Sequence, residues 1–232
     1  MKILLISDIH ANLEALQAID EDRDAVLCMR DLVDYGPSPK ECIAELWLMG
    51  AVIVRGNHDN AVAFQQDCRC HGDYKLLSVA TRQLTWQLLE PSEIEFLRQF
   101  PLTETVELAG TRFFLCHAAP SDPLFRYLPS SASDDQWESE VEGIKADFFL
   151  VGHTHEAYRK RVGNKWVINP GSVGQPKGGR PLVSYAVWQD GEIVHKQVPY
   201  DFRRTMERID ETKLESKIKS RLKHILAFGA LA

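Results

Sequence analysis

Short apolar runs ending on polar, ligand-type residues recur along the chain. Ile3 to Ile6 closes on Ser7 and Asp8; a short continuous apolar run bounded by polar residues reads as a buried strand. Asn12 to Ile19 then places Leu13, Leu16 and Ile19 at helical spacing. A second strand is predicted over Ala25 to Met29, ending near Asp31. A helix follows over Pro39 to Met49, with Ser38 as its cap. Ala51 to Val54 gives a third strand, which runs into Gly56-Asn57-His58-Asp59. Strands alternating with helices predict βαβ units and a parallel sheet.

From Asn60 to Phe100 strand signals are absent and the pattern is helical, with a restart at Pro91-Ser92-Glu93. Val106 to Leu108 and Arg112 to Cys116 flank Ala109-Gly110, a hairpin pattern. Pro120 to Ser133 is rich in Pro, Ser and Asp and reads as a loop over the site. A helix is predicted around Asp134 to Gly143. Strands are predicted at Phe148 to Val151, Trp166 to Ile168, Val183 to Trp188 and Glu192 to Gln197, the last two joined by Asp190-Gly191. The charged tail from Phe202 to about Leu226 reads as a helix for packing or homo-oligomer formation. No repeat or linker divides the chain, so residues 1–232 are expected to form a single domain.

Composition narrows the class. A chain with 44% hydrophobic and 26% charged residues has a sizeable core and a soluble surface. Its formal net charge of -6 argues against a nucleic-acid binder, because no basic excess exists to neutralise a phosphate backbone. A small phosphate ester stays open as a partner, since local metal charge attracts an anion whatever the net charge. Five cysteines without a regular framework suit a reduced compartment. The opening apolar run is too short for a signal peptide or a membrane span. The expectation is a cytoplasmic protein with no membrane partner.

The strand ends carry the chemistry. Asp8-Ile9-His10, Asp31, Gly56-Asn57-His58-Asp59, His117 and Gly152-His153-Thr154-His155 supply carboxylates, an amide and five imidazoles. Such donors suit divalent transition metals, and a set this large serves two ions sharing a carboxylate, an arrangement suited to phosphoryl transfer. In this order the motifs resemble those of the calcineurin-like metallophosphoesterase superfamily, over Asp8 to about Pro176. Asp34-Tyr35-Gly36-Pro37 and Asn169-Pro170-Gly171-Ser172-Val173-Gly174 are similar to its small prokaryotic branch, the YfcE-like phosphodiesterases.

The resemblance implies an α/β fold, a four-layer α-β-β-α sandwich of two mixed sheets. It implies that Asp8, His10 and His155 bind one divalent ion, that Asn57, His117 and His153 bind another, and that Asp31 bridges them. Manganese is the expected metal; iron, zinc, cobalt and nickel also suit these ligands. The implied activity is hydrolysis of small phosphodiesters by in-line attack of a metal-bridging hydroxide. His58 would act as general acid, and Asp59 would orient it or a neighbouring ligand. Asn12, Ser172, Tyr35 and, from the loop, Arg126 are candidate substrate contacts; simple turn or surface roles are the alternatives for Tyr35 and Arg126.

Other features read more plainly. His71, His195 and His224 sit in no motif and are expected to be structural or solvated. Cys68-Arg69-Cys70-His71 lacks the paired spacing of a structural zinc module; it reads as a helix-end loop, with an auxiliary metal site as the sharper alternative. Cys28, Cys42 and Cys116 read as core filler. The family usually has Gly before the bridging Asp, where this chain has Arg30. A guanidinium there would distort the turn, compete for the carboxylate, or point away. A catalytically impaired interaction module of the same fold is therefore the rival reading, and a phosphomonoesterase, a dinucleoside polyphosphate hydrolase and a nuclease are others.

Overall fold

The computed structural model describes residues 1–231. The chain begins with Lys2–Ile6 (β1), Leu13–Gln17 (α1), Ala25–Cys28 (β2), Pro39–Leu48 (α2) and Val52–Ile53 (β3). Three helices follow, Asn57–Phe64 (α3), Gly72–Leu88 (α4) and Pro91–Arg98 (α5). The second half holds Thr103–Leu108 (β4), Thr111–Cys116 (β5), Asp134–Val141 (α6), Phe148–Leu150 (β6), Ala157–Val162 (β7), Lys165–Pro170 (β8), Leu182–Gln189 (β9) and Glu192–Pro199 (β10). Phe202–Glu211 (α7) and Ser216–Phe228 (α8) close the chain.

Two five-stranded mixed sheets form, in the orders β10-β9-β1-β2-β3 and β4-β5-β6-β8-β7. In the first, β1, β2 and β3 are parallel, and the β9–β10 hairpin adds antiparallel beside β1. In the second, β5, β6 and β8 are parallel between antiparallel edges β4 and β7. Alternation along the strands explains the layers. Ile3, Leu5 and Leu27 of the first sheet meet Phe113, Leu115, Leu150 and Ile168 of the second in one apolar core. Leu4, Ile6 and Val26, on the opposite face, pack on Leu16, Ile43 and Leu46 of the helices. Phe114, Phe149 and Val167 pack outward on Trp137 and Val141 of α6. This is the expected four-layer sandwich.

The tail is two helices, not one. Thr212 leaves helical geometry and its hydroxyl bonds the Ile209 carbonyl, a local bond that competes with helix continuation. The apolar face of the tail is used within the chain: Ile209, Leu222, Ile225 and Leu226 bury against Tyr35 and Leu77. Strand β7 was absent from the sequence pattern. Its Arg159, Lys160 and Arg161 mask the alternation by which only Tyr158 and Val162 are buried, as suits an edge strand.

Parallel strands β1, β2, β5 and β6 all run toward one edge of the sandwich. Their carboxyl ends are where an α/β sheet opens a crevice, and the polar motifs leave the strands there.

Candidate metal centre

The loops after β1 and β2 zip together. His10 N donates to Asp31 O at 2.9 Å and Ala11 N to Leu32 O at 2.7 Å. Neither loop is extended: Asp8, His10, Ala11, Arg30, Asp31, Asp34 and Tyr35, together with His153 and His155 after β6, have φ between 47° and 64°. Asp8 and His10 therefore converge through a left-handed turn, not by the same-side alternation of a strand. Such conformations cost about 1–3 kcal/mol each and persist where surrounding bonds over-determine them.

Two ligand groups result. Asp8, His10 and His155 form one: His155 Nε2 lies 3.3 Å and His10 Nε2 3.9 Å from Asp8 Oδ1, with the two imidazole nitrogens 3.2 Å apart. Asp31, His117 and His153 form the other: His117 Nε2 is 3.2 Å from Asp31 Oδ2, 3.2 Å from His153 Nδ1 and 2.9 Å from Asn57 Oδ1. All seven residues expected to ligate are brought to this edge.

Bonds behind the ligands fix which atom faces inward. His10, His117 and His155 turn their Nδ1 to the carbonyls of Val33, Met29 and Gln175, at 3.2, 2.8 and 3.0 Å, which leaves Nε2 for the centre. Asn57 Nδ2 donates to Cys68 O at 2.8 Å, so Oδ1 faces inward. Two glycines permit the approach. A Cβ on Gly56 would overlap Asp31 Oδ1, and one on Gly152 would overlap Ser7 Oγ and crowd Asp8 Oδ2.

The charge balance suits a cation. Asp8 Oδ1 is buried and finds no hydrogen-bond donor, a costly state for a carboxylate unless a positive charge meets it. Burial, with the neighbouring His155, pushes His10 down to about 3, and burial, with His117, does the same to His153, so both offer lone pairs at neutral pH. For Asp8, burial is outweighed by His155 and its carboxyl falls to about 2. The donor set of carboxylate, imidazole and amide fits divalent transition metals.

His58 lies beside both groups on the first turn of α3. Its backbone N donates to Asp31 Oδ1 at 2.9 Å. Its Nδ1 is 2.8 Å from Asp34 Oδ2, and Arg82 holds that same oxygen at 3.2 Å. Its Nε2 faces the cleft, 3.3 Å from Cys70 Sγ. Burial disfavours the charged ring, but Cys70, Asp31 and Asp34 outweigh it and hold the imidazole pKa well above its usual value. A bond from Cys68, reinforced against burial by His58, draws the Cys70 thiol down to about 3.

The residue against the His58 ring is thus Asp34, not Asp59. Asp59 accepts from Leu32 N at 2.9 Å and Gly56 N at 3.1 Å and pairs with Arg30 Nε at 3.2 Å. It braces the backbone on either side of the two motifs. Arg30 points away from the Asp31 carboxylate: it is fully buried, with its guanidinium over the Phe100 ring at 4.2 Å.

Of the expected substrate contacts, Tyr35 lines the cleft with Tyr74, Tyr127, Arg69 and Lys177. Asn12 and Ser172 are committed elsewhere. Asn12 caps α1 and bonds Gly174 O, Tyr200 and Thr205, while Ser172 bridges Asp8 O and Gln175 N. Arg126 pairs with Glu140 of α6, and its neighbour Tyr127 takes the cleft position. Sequence reasoning passed over Arg82 and Lys177, and it read Asp34 only as part of a turn motif and Tyr127 only as part of the loop over the site. Asp34 carried one further signal, its place three residues after Asp31.

Two mixed sheets packed face to face, with a histidine- and carboxylate-rich crevice at one edge of the sandwich, define a metal-binding phosphoesterase. The model of the calcineurin-like phosphoesterase superfamily domain matches residues 1–190, and the chain belongs to that superfamily of enzymes that hydrolyse phosphate esters. An uncharacterised protein of Methanocaldococcus jannaschii is 30% identical over 243 residues, spanning 95% of this chain and 96% of that one. Phosphodiesterase YfcE of Escherichia coli K12 is 26% identical over 191 residues, 78% of this chain and 84% of its own. The crystal structure of a metallophosphoesterase from Sphaerobacter thermophilus superposes with a TM-score of 0.78 at 25% identity, covering 96% of this chain and 98% of that one.

Proposed function

We propose that the chain hydrolyses phosphodiesters of small molecules, with His58 as proton donor to the leaving oxygen. The two ligand groups would hold two divalent cations, manganese foremost, with Asp31 shared. Bound there, such cations polarise a phosphoryl oxygen and acidify a water to a pKa of about 7. The protein's own part is positional. Asp8 and Asp31 supply fixed negative charge, and His10, His117 and His155 are held by their outer nitrogens so that their inner ones stay turned to the centre.

The observation that carries the reading is the His58 ring. Asp34 holds Nδ1, and Cys70, Asp31 and Asp34 raise the ring's pKa well above its usual value against burial, so Nε2 is suited to deliver a proton beside the ligand groups. That is the state a general acid needs. The cleft measures about 210 Å³, smaller than pockets for drug-sized ligands at about 300–1,000 Å³, so it suits a small ester and not a duplex. Tyr74 and Tyr127 give the second ester group an apolar seat. The pairing of Arg30 with Asp59, and not with Asp31, weighs against an impaired binding module.

The test compares leaving groups. Chelated, manganese-reloaded protein is assayed on bis-p-nitrophenyl phosphate, p-nitrophenyl phosphate and an alkyl diester. We expect metal-dependent turnover that favours the diesters. His58→Ala should cost about 10²–10⁴-fold on the alkyl diester and much less on the activated nitrophenyl ester, whose leaving group needs no proton. Equal losses on both would remove His58 from that role, and no metal-dependent turnover of any ester would end the proposal.

A further inference from the structure

The cleft wall carries a third set of ligand atoms. His58 Nε2, Cys68 Sγ and Cys70 Sγ lie within 4.8 Å of one another. The sulfurs are 2.6 Å apart, and Cys70 Sγ is 3.3 Å from His58 Nε2. They sit on the short segment between α3 and α4, which is held in place rather than free. Asn57 Nδ2 bonds Cys68 O, Cys68 Sγ meets Ser78 Oγ at 3.4 Å, and the Asp67 carboxylate accepts from Arg69 N at 2.8 Å. Cys68 is buried and Cys70 half-buried at the cleft. The Tyr35 hydroxyl stands 3.6 Å from Cys70 Sγ.

This set differs in kind from the other two. Those are built of carboxylates and imidazoles; this one offers two sulfurs and one nitrogen, the soft donors that zinc and its thiophilic relatives prefer. Three protein ligands beside an open cleft are the pattern of an accessible site, whereas structural zinc sites close with four.

We infer that His58, Cys68 and Cys70 form a binding site for one thiophilic divalent cation, zinc by preference, and that filling it disables the proton donor. Each of the three atoms binds the cation through a lone pair, and whatever proton it carries leaves to solvent; nothing is oxidised. With Zn–S bonds of about 2.3 Å in tetrahedral geometry the sulfurs would stand roughly 3.8 Å apart, a separation that a χ1 turn of half-buried Cys70 supplies. Asp34 already occupies Nδ1, so a cation on Nε2 leaves the ring no nitrogen from which to donate. The inhibitory half rests on the proposed role of His58; the binding half does not.

The experiment separates the halves. Manganese-loaded protein, kept reduced with a phosphine, is titrated with cobalt(II) and followed by its sulfur-to-cobalt charge-transfer band in the near ultraviolet. The two carboxylate–imidazole groups contain no sulfur, so the band reports only thiolate ligation. We expect it to saturate at one equivalent, to vanish in Cys68→Ser and to persist in Cys42→Ala. No band, or a band unchanged in Cys68→Ser, would overturn the site. In parallel, the ratio of alkyl diester turnover without and with zinc should be roughly 10²-fold in the wild type and near one in Cys68→Ser. A band lost in Cys68→Ser without any zinc inhibition would leave the site standing and overturn His58 as the acid.

Discussion

Asp34 shares with Cys70 and Asp31 the hold on the His58 proton, and it alone grips Nδ1. It is buried, accepts from Nδ1 at 2.8 Å and is itself held by Arg82. Asp34→Asn keeps the shape and removes one of the charges that hold the imidazole proton, so the ring should lose its proton at lower pH. The expected result is an alkaline limb of kcat displaced toward neutrality, with a loss smaller than that of His58→Ala; a pH profile on the alkyl diester measures it. An unmoved limb with a uniformly lower rate would mean that Asp34 serves only packing. Arg30 makes the opposite case. Its φ of 57° is a conformation that glycine adopts freely, yet it closes a buried pair with Asp59 and covers Phe100. Removing one partner of a buried pair costs about 3–5 kcal/mol, and relief of the turn returns about 1–3 kcal/mol. Arg30→Gly should therefore be less stable by up to about 4 kcal/mol, a fall of up to roughly 15 °C in Tm for a chain of this size, with no gain in metal-dependent rate. A more active or more stable variant in thermal melts and assays would refute this account.

At the scale of elements, the site depends on how closely α3 approaches the loop after β2. Gly56 caps the helix, and a Cβ there would overlap Asp31 Oδ1 and crowd Asp31 N. Gly56→Ala should displace the shared carboxylate and weaken metal binding by at least the 10–100-fold typical of lost supporting contacts, measured by calorimetric titration of chelated protein. Unchanged affinity would show that the loop yields without cost. The gathering of the candidate ligands at one edge was legible in the sequence because each follows an apolar run, and strand ends are where a sheet gathers chemistry. The partner of His58 was not, because contacts across a left-handed turn have no fixed spacing: Asp34, three residues past Asp31, faces the ring, while adjacent Asp59 turns back to Arg30. Asn12 and Ser172 misled for a related reason. Polar residues beside a motif read as substrate contacts, but both are consumed by the backbone of the β1 loop and its neighbour. Strand β7 stayed hidden because its pattern rests on only two buried side chains. The break between α7 and α8 stayed hidden because Thr212 carries no strong stop signal.

Across the whole molecule, the centre holds only while the sheets and their outer helices keep register, and Glu21 ties the loop after α1 to three strands of the first sheet. Glu21, in the loop after α1, takes Lys2 of β1 at 2.8 Å, Lys196 of β10 and the Tyr185 hydroxyl of β9 at 3.1 Å. Burial alone would raise its carboxyl, but Lys196, Lys2 and Tyr185 overcome it and hold the pKa at about 2 against the ordinary 4.5. A carboxyl whose folded pKa is depressed adds stability that is complete above its unfolded value. That stability drains away as pH falls from about 4.5 toward 2. Both lysines are about a third exposed, so solvent screening reduces the contribution from the unscreened value to about 1–2 kcal/mol. Glu21→Gln should accordingly lower the unfolding free energy from urea titration at pH 7 by that much, and the two stability curves should converge as pH approaches 2. Curves that run parallel through the acid range would show that Glu21 acts through packing, and that the helix layer is held on the first sheet without this charge.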